Sequence, residues 1–346
     1  MINSKANIFE FATKELSQDA VFCYILDCFH DAERKTIAEK FLDLIHVPHV
    51  DKILQLDIKQ QQDNIDIKAI VWYGDGSKKY IIIEDKVYSS IHDNQLMRYK
   101  DATIVREKCR AEDIIGIFFK IGRPLHWERV ACDHVSFTVL EYKEFLRFLE
   151  SVTEDPVLCA FHTFFKKRTE YVDKIDNCTF DALEESEFDE VIGFRYGQRK
   201  LTEWIMKQIF LEDYREEKMY DVNNFGSPCT QYEFVFDKET KASDWSLPES
   251  DLIRRKYCCF FRIDRNAKGW YIAIRQYFRH GANDEEAARS TGKRQELLRI
   301  LGEDNAPNRK AKKEKNLLLY NIDSIETIKE ILPKLQIATE HLINTI

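Results

Sequence analysis

The sequence predicts an α/β domain built on a mixed central sheet, followed by an α+β C-terminal part, in a chain of 346 residues. Three observations predict it. Two runs rich in β-branched and aromatic residues, Ile65 to Tyr73 and Lys79 to Val87, flank Gly74-Asp75-Gly76, the run-turn-run pattern of a β-hairpin. A third strand-like run, Asp113 to Lys120, follows a helix-compatible segment, and so long a crossover favours parallel pairing with the hairpin's second strand. Past an acidic run, Asp181 to Glu190, a new series of strands and helices begins.

Taken in order, helices are expected at 14–30 and 33–46, the first with Ala20, Cys23, Tyr24 and Leu26 at helical spacing. Strands follow at 52–59, 65–73 and 79–87. A helix opens near Asp93 and runs to about Cys109, then come strands at 113–120 and Val135 to Val139, and helices at 141–151 and 156–173. The run 181–190 carries six acidic and no basic residues and reads as a solvated helix end or connector. The expected domains are 1–178, an acidic connector at 179–194, and 195–346 for recognition of substrate, partner or a second copy. In the last, a helix at 198–212 precedes strands at 230–237, 256–264 and 269–278. Helices at 284–301 and 324–345 bracket a short strand, Asn316 to Tyr320. Trp270, Tyr271, Tyr277 and Phe278 make one strand aromatic, for core packing or for stacking on bases.

No apolar run approaches the ~18 residues of a membrane span, and the start MINSKANIFEF lacks a signal-peptide layout. A cytoplasmic protein without membrane contact is expected. Nine scattered cysteines with no Cys-x-x-Cys pair favour reduced thiols over structural zinc, and no phosphate-binding Gly-x-x-x-x-Gly-Lys loop is present. The formal charge of −8 argues at first against a polyanionic partner. Net charge hides local patches, however, and Arg309, Lys310, Lys312, Lys313 and Lys315 form a basic run suited either to phosphate contact or to a solvated loop.

The hairpin carries the chemistry. Centred on Asp75, it sets Asp66 opposite Glu84, with Cβ atoms about 4.5–5.5 Å apart. Two like charges so placed destabilise a sheet unless a cation lies between them, and Mg²⁺ is held by one or two such carboxylates plus waters. Lys86 shares the face of Glu84; Asp85 points to the other face and offers its backbone carbonyl. The competing reading is a solvated surface pair of Glu84 and Lys86. Against it, Tyr80 to Ile83 is continuously apolar, so the charges appear where a buried strand ends. On the next helix Gln95 and Tyr99, four apart, share a face. They are either two site residues or part of an amphipathic stripe.

Asp66, then Glu84-Asp85-Lys86 closing an apolar strand, then Gln95 and Tyr99 on the following helix, together resemble the PD-(D/E)XK nuclease superfamily and its Gln-x-x-x-Tyr motif. The segment Asn7 to Ala20 is similar to a bacterial branch of uncharacterised nucleases within it. Ile65 stands where the superfamily often has proline. The resemblance covers roughly residues 1 to 150 and implies a restriction-endonuclease-like core. It implies catalytic roles for Asp66, Glu84, Lys86, Gln95 and Tyr99, and a metal site of Asp66, Glu84, Asp85 and Glu15, with Asp19 as the alternative to Glu15. The implied activity is Mg²⁺-dependent hydrolysis of nucleic acid, DNA before RNA, with Mn²⁺ able to substitute, in defence against phage or in DNA repair. A homo-oligomer or protein partner fits the C-terminal part. The alternatives are a catalytically silent nucleic-acid- or protein-binding module on the same fold, and a regulated effector whose C-terminal domain senses a ligand.

Overall fold

A computed structural model describes residues 7–11, 14–87, 89–91, 94–224, 227–236, 257–278, 284–303 and 314–345. The chain divides into two compact units, Met1–Pro124 with Glu128–Lys174, and Leu125–Trp127 with Ile175–Ile346.

The first unit is built on a five-stranded sheet in the order β1 (Ile53–Gln62), β2 (Ile65–Tyr73), β3 (Lys78–Lys86), β4 (Ile114–Lys120), β5 (Phe137–Glu141). The pairs β1–β2 and β2–β3 are antiparallel, and β3–β4 and β4–β5 are parallel, so the sheet is mixed as expected. Its helices are α1 (Lys14–Asp27), α2 (Lys35–Leu44), α3 (Gln95–Glu107), most of α4 (His126–Val135), α5 (Tyr142–Glu150) and most of α6 (Pro156–Asn177). The sequence reading did not include α4. The hairpin turn closes through the Tyr73 N–H donating to the Ser77 carbonyl at 3.0 Å, and Gly76 supplies the positive φ of 81°. The Asp75 carboxylate accepts from the Ser77 N–H and hydroxyl at 2.9 and 2.6 Å. This turn fixes the register Ile67↔Ile83 through Trp72↔Lys78, the one expected from centring on Asp75.

The two faces of this sheet differ in chemistry. Phe119 of β4 meets Phe22 of α1 and Phe145 of α5 at 5.3 and 5.1 Å between ring centroids, and Phe145 meets Phe165 of α6 at 5.4 Å. That face is an aromatic core. Phe119 alternates with Phe118 and Lys120, which leave the strand on the other side. There Lys68 of β2 pairs with Glu107 of α3 at 2.5 Å, and Lys120 of β4 with Glu128 of α4 at 2.7 Å. Gly116 is forced by packing, because a Cβ there would lie 2.2 Å from the Phe137 ring of the neighbouring strand.

The second unit holds an all-antiparallel sheet in the order β10-β9-β8-β7-β6: β6 (Met219–Asn224), β7 (Ser227–Phe236), β8 (Tyr257–Asn266), β9 (Gly269–Phe278), β10 (Glu314–Ile322). Helices α7 (Phe188–Gly193), α8 (Arg195–Phe210), α9 (Asp284–Ile300) and α10 (Ile325–Thr345) belong to it. Phe210 of α8 packs on Tyr232 of β7 at 5.0 Å, and Phe234 on Phe261 at 5.0 Å. β6 is a further element that the sequence reading did not include. In the acidic stretch 179–194, Phe180, Leu183, Phe188, Val191 and Ile192 are buried. Its Glu185 carboxylate accepts the backbone N–H groups of Ile325 and Glu326 at 3.1–3.3 Å. An acid is thereby spent on the positive end of α10. Tyr271 is buried and Trp270 half-buried; the side chains of Tyr277 and Phe278 lie outside the described residues. Among the described residues, no helix is long and apolar enough to cross a membrane, and the cysteines are free thiols.

Candidate active site

The antiparallel ladder of β2 and β3 ends at Ile67↔Ile83, and the charged residues begin one step beyond it. There the Asp85 N–H donates to Asp66 Oδ2 at 3.1 Å, so a side chain takes the place of the next ladder bond. The strands stay joined while their carboxylates gather at the opening. Glu84 is fully buried and its carboxyl lies against the Lys86 ammonium, two residues on and on the same face, as strand alternation requires. Asp85 points to the opposite face, where its Oδ1 accepts from Gln18 Nε2 of α1. On α3, Gln95 Nε2 donates to the Tyr99 hydroxyl at 2.6 Å, and both side chains are buried.

Burial governs the protonation of this cluster. It pushes the Glu84 carboxyl up to about 8, with the Lys86 ammonium pulling it down and the Asp66 charge adding to the rise. Burial and then the charge of Asp19 hold Asp85 well above the usual carboxylate range. The Tyr99 hydroxyl is pushed up to about 12 by burial, by the negative charge of Glu84 and less by Asp66, while the Gln95 hydrogen bond and the Lys86 ammonium pull it down. Tyr99, Glu84, Asp66 and Lys86 thus share one electrostatic environment, and Asp19 acts on Asp85 behind the sheet.

A stability prediction follows from Glu84. Between the ordinary carboxylate range and about pH 8 the folded chain keeps a proton that the unfolded chain releases. Stability of the metal-free protein therefore falls as pH rises through that window. Urea unfolding in chelator should give a lower midpoint at about pH 8.5 than at about pH 5.5, and Glu84→Gln should reduce that difference. An undiminished difference in the variant would assign the effect to other groups.

The Asp66 and Glu84 carboxyls interact with each other across the opened hairpin, and oxygen donors of this kind are the ligands a hard divalent cation takes. Among the described residues, no three His, Cys, Asp or Glu side chains form a group able to hold a metal ion. A third carboxylate was expected from Glu15, which α1 carries but whose side chain lies outside the described residues. Two carboxylates with waters are within the usual ligation of Mg²⁺. Of the basic run, Arg309, Lys310, Lys312 and Lys313 lie outside the described residues, as does the side chain of Lys315, which stands in β10.

Four residues near the cluster escaped the sequence reading: Gln18, Lys68, Lys120 and Glu128. The signal for the lysines was present. Lys68 interrupts the apolar run of β2, Lys120 ends the apolar run of β4, and both are fully buried. A lysine inside such a strand requires a carboxylate partner.

Comparison with known proteins bears on the first unit. Residues 7–166 match the family model of the PD-(D/E)XK nuclease superfamily. No curated protein and no solved structure matches the chain. The mixed sheet with its opened hairpin, Asp66 on β2 and Glu84-Asp85-Lys86 closing β3 all fall within the matched segment. The likeness to the PD-(D/E)XK nuclease superfamily is confined to residues 7–166 of the 346-residue chain.

Proposed function

We propose that the first unit is a metal-dependent nuclease that hydrolyses phosphodiester bonds, DNA in preference to RNA. The observation that supports this reading is the gathering of Asp66, Glu84 and Lys86 where the β2–β3 ladder opens, with Tyr99 and Gln95 beside them. Asp66 and Glu84, with the Asp85 carbonyl and Glu15, would hold Mg²⁺, and Mn²⁺ would substitute. Bound there, the cation supplies Lewis-acid polarisation of a phosphoryl oxygen and a nucleophile at neutral pH.

The chain's own groups do the rest. Lys86 carries donors only, so its ammonium orients the attacking oxygen and offsets the charge that builds on the phosphoryl oxygens. Tyr99, pushed up to about 12, keeps its proton at neutral pH and donates it in a hydrogen bond to a phosphate oxygen. Gln95 fixes the rotation of that hydroxyl. The test is to incubate the full chain with supercoiled plasmid, linear duplex, single-stranded DNA and RNA in Mg²⁺. Cleavage of DNA ahead of RNA is expected.

Two observations favour a second reading. The Glu84–Lys86 ion pair, and the lack of three gathered metal-ligating side chains among the described residues, suit a catalytically silent nucleic-acid- or protein-binding module. Binding of these substrates without cleavage of any of them would select it.

The second unit would select substrate, partner or a second copy, or sense a ligand that regulates the first, in a setting of phage defence or DNA repair. Arg309, Lys310, Lys312, Lys313 and Lys315 are its proposed phosphate contacts. Each contact to duplex DNA adds about −0.9 to the slope of log affinity against log salt. Replacing the five by Gln should weaken DNA binding and flatten that slope, with the rate at saturating substrate little changed. An unaltered slope would make the run plain solvated surface.

A further inference from the structure

Helix α4 has no part in the chemistry above, yet it is bonded to the site from two sides. Lys120 at the end of β4 is the ladder partner of Lys86 on β3, and parallel partners leave the sheet on the same face. Lys120 and Glu128 of α4 are both fully buried. The Lys120 ammonium donates to both Glu128 oxygens at 2.7 and 2.9 Å, and also to the Ser90 hydroxyl at 3.1 Å. Ser90 lies in the short segment between β3 and α3. At the other end of α4, the Val135 carbonyl accepts from Lys100 of α3 at 2.7 Å. The start of α3 carries Gln95, and Lys100 follows Tyr99 directly, so both ties bracket Tyr99, which acts on Glu84, and its hydrogen-bond partner Gln95.

We propose that Lys120 is a positioning residue. With Glu128 and Ser90 it clamps the segment that delivers α3, and so sets Gln95 and Tyr99 against Glu84 and Lys86. The inference concerns the same site as the nuclease reading, and its kinetic half rests on that reading. A buried ion pair contributes little net stability against a well-packed apolar pair of the same size. The hydroxyl of Ser90 gives the pair a specific object: the ammonium reaches the helix behind through Glu128 and the segment in front through Ser90.

The experiment uses the full chain and three variants. Ser90→Ala removes the hydroxyl bond to the ammonium and leaves the ion pair. Ser90→Thr keeps the hydroxyl. Lys120→Met with Glu128→Leu removes the pair without leaving a buried charge. Hydrogen exchange over residues 87–100 should quicken about tenfold or more in Ser90→Ala and in the double variant, with the global unfolding midpoint nearly constant. In the same two proteins kcat on DNA should fall about tenfold or more while KM stays within about twofold, because a misplaced group costs rate before binding. Ser90→Thr should restore both.

Exchange unchanged in both variants overturns the proposal. Faster exchange with kcat unchanged also overturns it, because the clamp would then be structural alone. If the wild type cuts no substrate, the nuclease reading fails, and the exchange measurement by itself decides whether the clamp exists.

Discussion

Asp66→Asn and Glu84→Gln are each expected to lower the single-turnover cleavage rate in Mg²⁺ by at least about 100- to 1,000-fold, the scale of losing one preorganised electrostatic contact to a transition state. The amides matter. Asn at 66 retains an oxygen to accept the Asp85 N–H, so the opened end of the hairpin stays tied. Glu84→Ala is a poorer test than opposed carboxylates alone suggest, because Glu84 is the partner of Lys86, whose side chain is 10% exposed. Stranding a buried ammonium costs about 3–5 kcal/mol. Loss of activity in that variant would confound unfolding with chemistry, and Gln keeps a hydrogen-bond acceptor for the lysine. Either amide variant, folded by circular dichroism and cutting within a few-fold of wild type, would remove its residue from the site.

Lys86→Met should lose turnover on a similar scale yet keep its affinity for Mn²⁺ or bind it more tightly. The reason is the ion pair: Lys86 and a cation compete for the same Glu84 carboxylate, so removing the ammonium leaves that carboxylate to the ion. Asp66→Asn should lose both affinity and turnover. Isothermal titration with Mn²⁺ in the absence of substrate reads the binding half directly. Equal loss of affinity in the two variants would contradict the division of roles between donor and ligands.

The hairpin was legible because Gly74-Asp75-Gly76 leaves few turn geometries, and one turn fixes every pair along β2 and β3. That single register placed Asp66 next to Glu84 and turned Asp85 away. The parallel strand β4 was legible from the length of its crossover. What was not legible depends on tertiary pairing. β6 reads Met-Tyr-Asp-Val-Asn-Asn, poor in strand formers, and exists as the antiparallel partner of β7. α4 is short and follows Gly122-Arg123-Pro124, and its key residue Glu128 has meaning only once Lys120 is beside it. The acidic run was half legible: its acids are mostly exposed, as a solvated stretch requires. Its charges drew attention, while the interleaved Phe180, Leu183, Phe188, Val191 and Ile192 were the apolar signal of a folded segment. The ion pair of Glu84 with Lys86 was likewise open to two readings in sequence. Burial separates them, since a solvated surface pair is not found at full burial.

Removal and return of the metal decides whether the opened hairpin is a metal-dependent phosphodiester-cleaving site. Full-length protein stripped with chelator should leave DNA uncut, and cleavage should return in proportion to added Mg²⁺ or Mn²⁺ in the wild type but not in Asp66→Asn. Cleavage that persists in chelator, or that Mg²⁺ restores equally to Asp66→Asn, would contradict the account.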